Sequence, residues 1–102
     1  MAKFDVIADT LTRNTWVSKN TSDISKYKMI QLLLRDSNYS EIASNITSYG
    51  MFKDCNSTSK TFIATSNSGN AAYSALACYK SNTTVSIYLG NNYFQAVLIG
   101  WY

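Results

Sequence analysis

Few side chains in this sequence are suited to catalysis. There are six carboxylates and no histidine, so the commonest general base and metal ligand is missing. The acids best placed to meet are Asp36 and Glu41, which flank the predicted turn at residues 36–40. Glycosidases need two such acids about 5 to 10 Å apart, but Asp is also a standard turn residue. We therefore interpret these carboxylates as turn and cap residues and predict that the protein is not an enzyme.

The two cysteines, Cys55 and Cys78, are the other reactive groups. Cys55 lies in a polar stretch and Cys78 on an apparent inward face beside Leu76. Their spacing leaves open whether they pair, because it does not give their distance. We favour the interpretation that both cysteines are free thiols and that Cys78 is buried as a small apolar residue. A metal site needs more ligands than these, and no glycine-rich phosphate loop or nucleophile elbow is present. We expect no metal and no cofactor.

Aromatic and amide side chains in predicted loops are the best candidates for binding. Aromatic rings stack on the apolar faces of sugars, and Asn offers donors and acceptors to hydroxyl groups. The chain has eight Tyr, a residue that gives recognition surfaces contact area at low entropic cost, although Tyr also favours strands. For Trp16 and Tyr49 the alternative is packing in the core or at an edge. The ligand-binding candidates are Trp16, Tyr39, Tyr49, Asn91, Asn92 and Tyr93.

The stretch from Thr83 to Tyr102 is predicted to be the centre of the fold. Val85, Ile87 and Leu89 alternate with Thr, Ser and Tyr, which is the period of a strand with one apolar face. Residues 90–92, Gly-Asn-Asn, tolerate positive φ as tight turns require. We therefore predict a hairpin, with this strand as its first arm.

The second arm, residues 93–101, is apolar on both faces and must be covered on both sides. A chain of 102 residues has little material for two covers. We expect one face to lie in the core and the other against further copies of the chain. Phe94, Ala96 and Leu98 are assigned to the first face, and Tyr93, Val97, Ile99 and Trp101 to the second. The subunit-interface candidates are Val97, Ile99 and Trp101.

The rest of the chain predicts short strands about every 10 to 12 residues, separated by turn signals. A helix is the alternative for residues 22–35, with Ser22 or Asp23 as its cap, and for the alanine-rich residues 71–80. We predict a single all-β domain over residues 1–102, an antiparallel, jelly-roll-like β-sandwich of about seven to eight short strands. Besides the C-terminal arms, the predicted strands are 3–8, 15–17, 28–35 (Ile30, Leu32 and Leu34 inward), 61–65 and 71–80, with 46–52 extended and kinked at Gly50, and loops at 9–14, 18–23, 53–60 and 66–70.

The charge pattern and the hydropathy limit the classes of partner that we expect. The net charge of +3 is mild and the basic residues are scattered, which is weak support for nucleic acid binding. No apolar stretch approaches 18 residues, so we predict no membrane insertion. Acidic residues stand in the N-terminal stretch where a signal peptide would have its apolar core, so synthesis in the cytoplasm is expected.

Three segments resemble the C-terminal head domains of tailed-bacteriophage fibres and baseplate receptor-binding proteins. They are DISKY (23–27) leading into MIQLLL (29–34), SNTTVSIYL (81–89) and the terminal AVLIGWY (96–102). The resemblance covers residues 22–102, and residues 1–21 are read as a linker or neck segment of a longer fibre. It implies a non-catalytic β-sandwich head at the fibre tip of a virion. Such a head assembles as a homotrimer and binds a host-surface saccharide or protein.

Two other interpretations remain open on the sequence. One is a structural module that caps or trimerises a fibre, or decorates a capsid, with no ligand of its own. The other is a small β-barrel that binds single-stranded nucleic acid through aromatic residues and scattered Lys.

Overall fold

The computed structural model describes residues 3–67 and 70–102, and most of them lie in strands. The helix α1 spans Tyr49–Asp54, and short 3-10 turns span Ile24–Lys26 and Ala71–Tyr73. The strands are β1 (Phe4–Thr10), β2 (Trp16–Asn20), β3 (Met29–Arg35), β4 (Glu41–Ser48), β5 (Phe62–Thr65), β6 (Ser74–Ser81), β7 (Thr84–Leu89) and β8 (Gln95–Trp101).

The strands form two four-stranded antiparallel sheets packed face to face. Sheet A has the order β1-β8-β3-β4, and sheet B has the order β2-β7-β6-β5. The predicted all-β sandwich is therefore confirmed. β1 and β2 lie within the segment read as a linker or neck, and they pair with β8 and β7 respectively.

The core lies between the two inner faces. In β3, Ile30, Leu32 and Leu34 are fully buried, as predicted for a strand over residues 28–35. The helical alternative for this segment is wrong. β3 pairs along its whole length with β4 and β8, and this pairing overrides the local helix preference of its Met, Gln and Leu residues.

The predicted hairpin at residues 83–102 is wrong, although both of its arms are strands. β7 lies in sheet B between β2 and β6, whereas β8 lies in sheet A between β1 and β3. Residues 90–94 therefore carry the chain from one sheet to the other. β8 is apolar on both faces and takes a central position in sheet A. The Gly-Asn-Asn sequence specifies a reversal of the chain, but it does not specify which strand pairs with which.

The side chains of β8 alternate as predicted, but those before it do not. Ala96 and Leu98 lie in the core, and Val97 and Ile99 form a separate cluster on the other side of sheet A. Tyr93 and Phe94 precede the strand, so the alternation does not extend to them. Tyr93 packs against the core, and Phe94 packs against a neighbouring loop instead.

The segment predicted to be extended at residues 46–52 ends in α1. The Ser48 hydroxyl accepts a hydrogen bond from the Met51 amide at 3.1 Å, which caps the first turn of the helix. Phe52 is fully buried in the core, edge to face with Phe62. Gly50 is a helical residue, and nothing lies within 4 Å of a Cβ placed on it, so it is not the predicted kink.

Two loop boundaries also differ from the prediction. β1 continues to Thr10 and β2 to Asn20, beyond the predicted strand ends, because both segments pair with long neighbouring strands. The alanine-rich segment is a strand from Ser74 onward, with a 3-10 turn before it. The predicted turn at 66–70 includes residues 68 and 69, which lie outside the described residues.

The two cysteines are free thiols. Cys78 is fully buried, as expected, but it does not face the core. In β6, Ala75 and Ala77 point inward, so Cys78 and Leu76 lie on the opposite side of sheet B, where Cys78 pairs with Ser86. Burial raises the pKa of both thiols.

The connections after β1, β3, β5 and β7 meet at one end of the sandwich, which we name the loop end. The described residues of these connections are 11–15, 36–40, 66–67, 70–73 and 90–94. The opposite end holds the other connections, the start of β1 and the end of β8. Within residues 3–67 and 70–102 there is no helix long and apolar enough to cross a membrane.

Candidate functional site

The loop end brings together most of the predicted binding residues. Tyr39, Asn91, Asn92 and Tyr93 lie in its connections, and Trp16 begins β2 at the same end. Tyr49 begins α1 and lies at the opposite end. The fold thus places five of the six candidates at one end of the sandwich, on two connections and the first residue of β2.

The connection from β7 to β8 is held rigidly by its backbone. The Gly90 amide donates to the Ser74 carbonyl at 2.8 Å, and the Phe94 amide donates to the Arg35 carbonyl at 3.0 Å. A Cβ atom on Gly90 would collide with the carbonyl oxygens of Ala71 and Ala72. Glycine is therefore required here by the close approach of another backbone, and the connection is fixed to both sheets.

This rigid backbone presents two exposed amide side chains. The side-chain amides of Asn91 and Asn92 make no hydrogen bond to the described part of the chain, whereas the backbone amide of Asn92 donates to the Ala72 carbonyl at 3.2 Å. Other asparagines have structural roles: the Asn82 side chain accepts hydrogen bonds from two tyrosines, and the Asn45 side chain donates to the Ile63 carbonyl at 2.9 Å. Among these four, only Asn91 and Asn92 have both the nitrogen and the oxygen of the side-chain amide without a partner in the described part of the chain.

A pair of aromatic rings lies at the same end of sheet B, where β7 leads into this connection. Trp16 and Tyr88 are cross-strand neighbours on the outer side of sheet B, with ring centroids 5.6 Å apart and planes inclined at 46°. Both side chains are half-buried, so each ring remains partly accessible. Trp16 belongs to an edge strand and packs against Tyr88, in line with the alternative of edge packing, and the residue is partly exposed.

The loop between β1 and β2 joins the aromatic pair to the backbone of the connection from β7 to β8. The Tyr88 hydroxyl donates to the Asn14 side-chain oxygen at 2.8 Å, and the Asn14 amide donates to the Leu89 carbonyl at 2.7 Å. Asn14 has φ of 63°, a conformation that Asn tolerates better than most residues. The Arg13 guanidinium donates to the Asn91 carbonyl at 3.5 Å. We name Arg13, Asn14, Trp16, Tyr88 and Asn91 the aromatic–amide cluster.

Three members of this cluster, Arg13, Asn14 and Tyr88, were not predicted from the sequence. Tyr88 could have been found from the sequence, because the alternation of its strand makes it outward-facing and it lies next to a predicted turn. Asn14 and Arg13 carried no comparable signal. Both join the site because Arg13 forms an isolated parallel β-bridge with Leu89, outside the regular strands.

Tyr39 forms a second aromatic contact at the loop end. It is 62% exposed, has φ of 61°, and packs edge to face against Phe94 at 5.2 Å. The turn that carries it is held by the Asp36 carboxylate, which accepts from the amides of Asn38 at 2.9 Å and Ser40 at 3.1 Å. Asp36 is therefore a turn residue, as predicted.

Tyr93 and Tyr49 are fixed by their own contacts. Tyr93 shares a hydrogen bond with the Ser66 hydroxyl and packs against the Tyr73 ring at 6.2 Å. The Tyr49 hydroxyl donates to the Asn82 side chain, and the ring packs against the core. Both residues position loops, and the packing alternative holds for Tyr49.

The three interface candidates lie on the outer side of sheet A. Val97 and Ile99 are 4% and 6% exposed, and Trp101 is half-buried with its Nε1 donating to the Gln31 side chain at 2.9 Å. Neighbouring apolar side chains extend this surface on all four strands. We name the whole surface the apolar face: Phe4, Val6, Met29, Leu33, Ile46, Val97, Ile99 and Trp101.

Among residues 3–67 and 70–102, no three His, Cys, Asp or Glu side chains lie together as a metal site would need.

Comparison with protein-family models, with curated proteins and with solved structures finds no significant match for the chain. The fold defines it as an all-β sandwich with an aromatic and amide-bearing loop end.

Proposed function

We propose that this chain is a non-catalytic attachment domain that binds a saccharide through its loop end. The observation that carries the proposal is the aromatic–amide cluster. Trp16 and Tyr88 offer partly open ring faces, on which the C–H face of a sugar ring can stack. Asn91 lies on the neighbouring connection and is exposed, and its side-chain amide has no hydrogen-bond partner among the described residues.

The cluster suits a polyhydroxylated ligand because its polar groups are fixed before the ligand arrives. The Asn14 side-chain oxygen accepts from Tyr88, which orients the amide so that its nitrogen can donate to a hydroxyl. The Asn91 backbone is held by Gly90 and Arg13. Binding then orders few side chains, which keeps its entropic cost low.

The resemblance to bacteriophage fibre heads leads to the same proposal. On that basis the ligand is a saccharide of a host cell surface, and the domain belongs to the tip of a virion tail fibre as a homotrimer. The sandwich with binding residues on one end fits this role, because connecting loops on a rigid scaffold commonly carry recognition residues.

The charge distribution favours a saccharide over single-stranded nucleic acid. Nucleic acid channels combine aromatic platforms with basic residues along one groove. Here the aromatic–amide cluster contains a single cation, Arg13. Most other basic residues lie towards the opposite end: Lys3, Lys19, Lys26, Lys28, Lys53, Lys60 and Lys80.

A structural module without a ligand is the second candidate, and the apolar face favours it. Such a module would cap a fibre or decorate a capsid through this face and would leave the loop end without a ligand. Glycan binding by the folded protein separates the two candidates. A correctly folded protein that binds no saccharide would favour the structural role.

The test is a glycan array followed by titration calorimetry with the best saccharide. We expect Asn91→Ala and Trp16→Ala to weaken binding at least tenfold. Asn56→Ala is the matched control, because Asn56 is an exposed loop asparagine away from the loop end. Circular dichroism checks that each variant is folded. Binding that survives both loop-end substitutions would refute this site.

A further inference from the structure

Tyr39 lies in the turn between β3 and β4, in a conformation that is unusual for a residue of its size. The Tyr39 amide donates to the Asp36 carbonyl at 3.0 Å, and the Asp36 amide donates to the Ser40 carbonyl at 3.1 Å. The hairpin therefore closes with a tight turn followed by a residue in the left-handed region, with φ of 61° at Tyr39. Hairpins of this kind usually have glycine in that position, because a bulky side chain there strains the backbone.

The Tyr39 side chain contributes little to holding this turn. The Asp36 carboxylate binds the backbone amides of the turn, and the Tyr39 hydroxyl has no hydrogen-bond partner among the described residues. The ring packs edge to face against Phe94, yet the residue is 62% exposed. Strained residues are concentrated at ligand sites, and here the strained residue presents an aromatic ring to the outside. We name Tyr39 and Phe94 the second aromatic pair.

The connection from β7 to β8 leads from sheet B to this pair. The Gly90 amide is bonded to the start of β6 in sheet B, and the Phe94 amide is bonded to the Arg35 carbonyl at the end of β3 in sheet A. Asn91 and Asn92 lie between these two anchors, and both are exposed. The free amide side chains thus lie on the segment that crosses between the sheets.

An aromatic pair lies at each end of this segment. Tyr88 packs against Trp16 at one end, and Phe94 packs against Tyr39 at the other. Tyr88 and Phe94 are six residues apart in the chain, so their Cα atoms are separated by at most about 20 to 22 Å. The two layers to which they belong are about 10 Å apart. The separation is wider than one sugar ring and within reach of a short chain of sugars.

The loop end has no excess of positive charge. Two guanidinium groups and three carboxylates lie at it or at the adjoining strand ends: Arg13, Arg35, Asp9, Asp36 and Glu41. An anionic sugar would gain no net attraction from this distribution. The charges therefore favour an uncharged ligand, whose polar groups are hydroxyls.

We infer that the second aromatic pair is a further subsite of the loop end, and that the ligand is an uncharged oligosaccharide chain. One sugar ring stacks at the Trp16–Tyr88 pair, another stacks on Tyr39, and the rings between them present hydroxyl groups to Asn91 and Asn92. The inference rests on the proposed function, because it extends the same site. It adds that a monosaccharide fills only part of the site.

The test is a glycan array printed with neutral gluco-, manno- and chito-oligosaccharides, from monosaccharides to hexasaccharides, together with uronate oligosaccharides. Titration calorimetry then follows the recognised series. We expect the affinity to rise about tenfold from its shortest member that binds to the longer chains, as a second stacking contact would provide. Tyr39→Gly should abolish this gain and leave the affinity for the shortest member unchanged. Its melting temperature should equal or exceed that of the wild type, since glycine adopts positive φ freely.

Two further variants separate stacking from the shape of the turn. Tyr39→Phe keeps the ring and should bind every chain length like the wild type. Met51→Ala is the matched control, because Met51 is also 62% exposed but lies in α1 at the opposite end. It too should bind like the wild type, and loss of binding in either variant would count against stacking on Tyr39.

The outcomes distinguish this inference from the saccharide proposal. An affinity that does not rise with chain length, or long-chain binding that survives Tyr39→Gly, would overturn the second subsite. The saccharide site itself would still stand if Trp16→Ala weakened binding of the shortest member. A preference for uronate chains would overturn the assignment of an uncharged ligand. A folded protein that binds no saccharide on the array would overturn both proposals.

Discussion

The ring of Tyr27 lies directly over Gly100, so closely that any Cβ atom on residue 100 would collide with it. Tyr27 is buried, and its hydroxyl donates to the Asp5 carboxylate at 2.8 Å. The Tyr102 hydroxyl donates to the same carboxylate oxygen, and the Tyr102 ring packs against Tyr27 at 5.1 Å. These contacts hold the start of β1 and the end of β8 to the turn that precedes β3.

Gly100→Ala should destabilise the protein by about 1–3 kcal/mol, because the added methyl group overpacks a filled site. Urea denaturation followed by circular dichroism measures this change. Gly50→Ala is the matched control: nothing lies near a Cβ at this helical position, and alanine there should be neutral or stabilise by up to about 1 kcal/mol. Equal effects of the two substitutions would contradict the role of Tyr27.

Stability should fall in acid partly through Asp5. Hydrogen bonds from Tyr102 and then Tyr27 lower the pKa of this carboxyl group below 3.8, with further help from Lys26 and Lys3. A lowered pKa in the folded state contributes stability above the unfolded value of about 3.9. That contribution is lost as the pH falls through the folded pKa.

Asp5→Asn should therefore flatten the decline of the melting temperature between about pH 5 and pH 2. Part of the decline of the melting temperature should persist, because hydrogen bonds from Ser25 also lower the pKa of Asp23. Asp54→Asn is the control and should keep the wild-type profile, since Asp54 has no side-chain hydrogen bond to the described residues. Thermal scans at successive pH values measure the effect, and identical profiles for Asp5→Asn and wild type would contradict it.

Tyr88→Phe should weaken saccharide binding several-fold with little change in stability. The substitution keeps the ring beside Trp16 and removes only the hydrogen bond that orients Asn14. An exposed hydrogen bond contributes about 0.5–1.5 kcal/mol or less to folding. Titration calorimetry and urea denaturation of the same samples separate the two effects. Tyr79→Phe removes a comparable hydrogen bond to Asn82 away from the loop end and should leave binding unchanged.

Val97→Asp should destabilise folding as well as assembly. Val97 is only 4% exposed and lies across from Asp9, so a second carboxylate there would be both desolvated and repelled. Val6→Asp changes the same face at an exposed position and should affect assembly alone. Circular dichroism together with sedimentation distinguishes the outcomes, and a fully stable Val97→Asp monomer would contradict this expectation.

The strands of the core could be predicted from the sequence because their alternation reflects burial directly. Ile30, Leu32 and Leu34 showed one inward face, and β8 showed two apolar faces. The alternation of apolar and polar residues along a strand does not show which other strand it pairs with. The turn after Leu89 was therefore read as a hairpin, although it crosses between sheets.

The candidate site was only partly predictable for the same reason. Trp16 and Asn91 were recognised by residue type and predicted loop position, but Tyr88 and Asn14 join them through the pairing of β2 with β7 and a hydrogen bond between distant parts of the chain. The helix at Tyr49 was missed because its signals, the Ser48 cap and buried Phe52, are short and depend on tertiary packing.

The placement of Lys3 and Tyr102 has a practical consequence. Lys3 and Tyr102 are joined by a backbone hydrogen bond at 3.0 Å, at the end of the sandwich opposite the aromatic–amide cluster. A surface tether, an affinity tag or a fused domain attached at either position would extend away from Trp16 and Asn91. The domain can therefore be immobilised on a sensor or displayed on a particle through either position with its sugar-facing loops free.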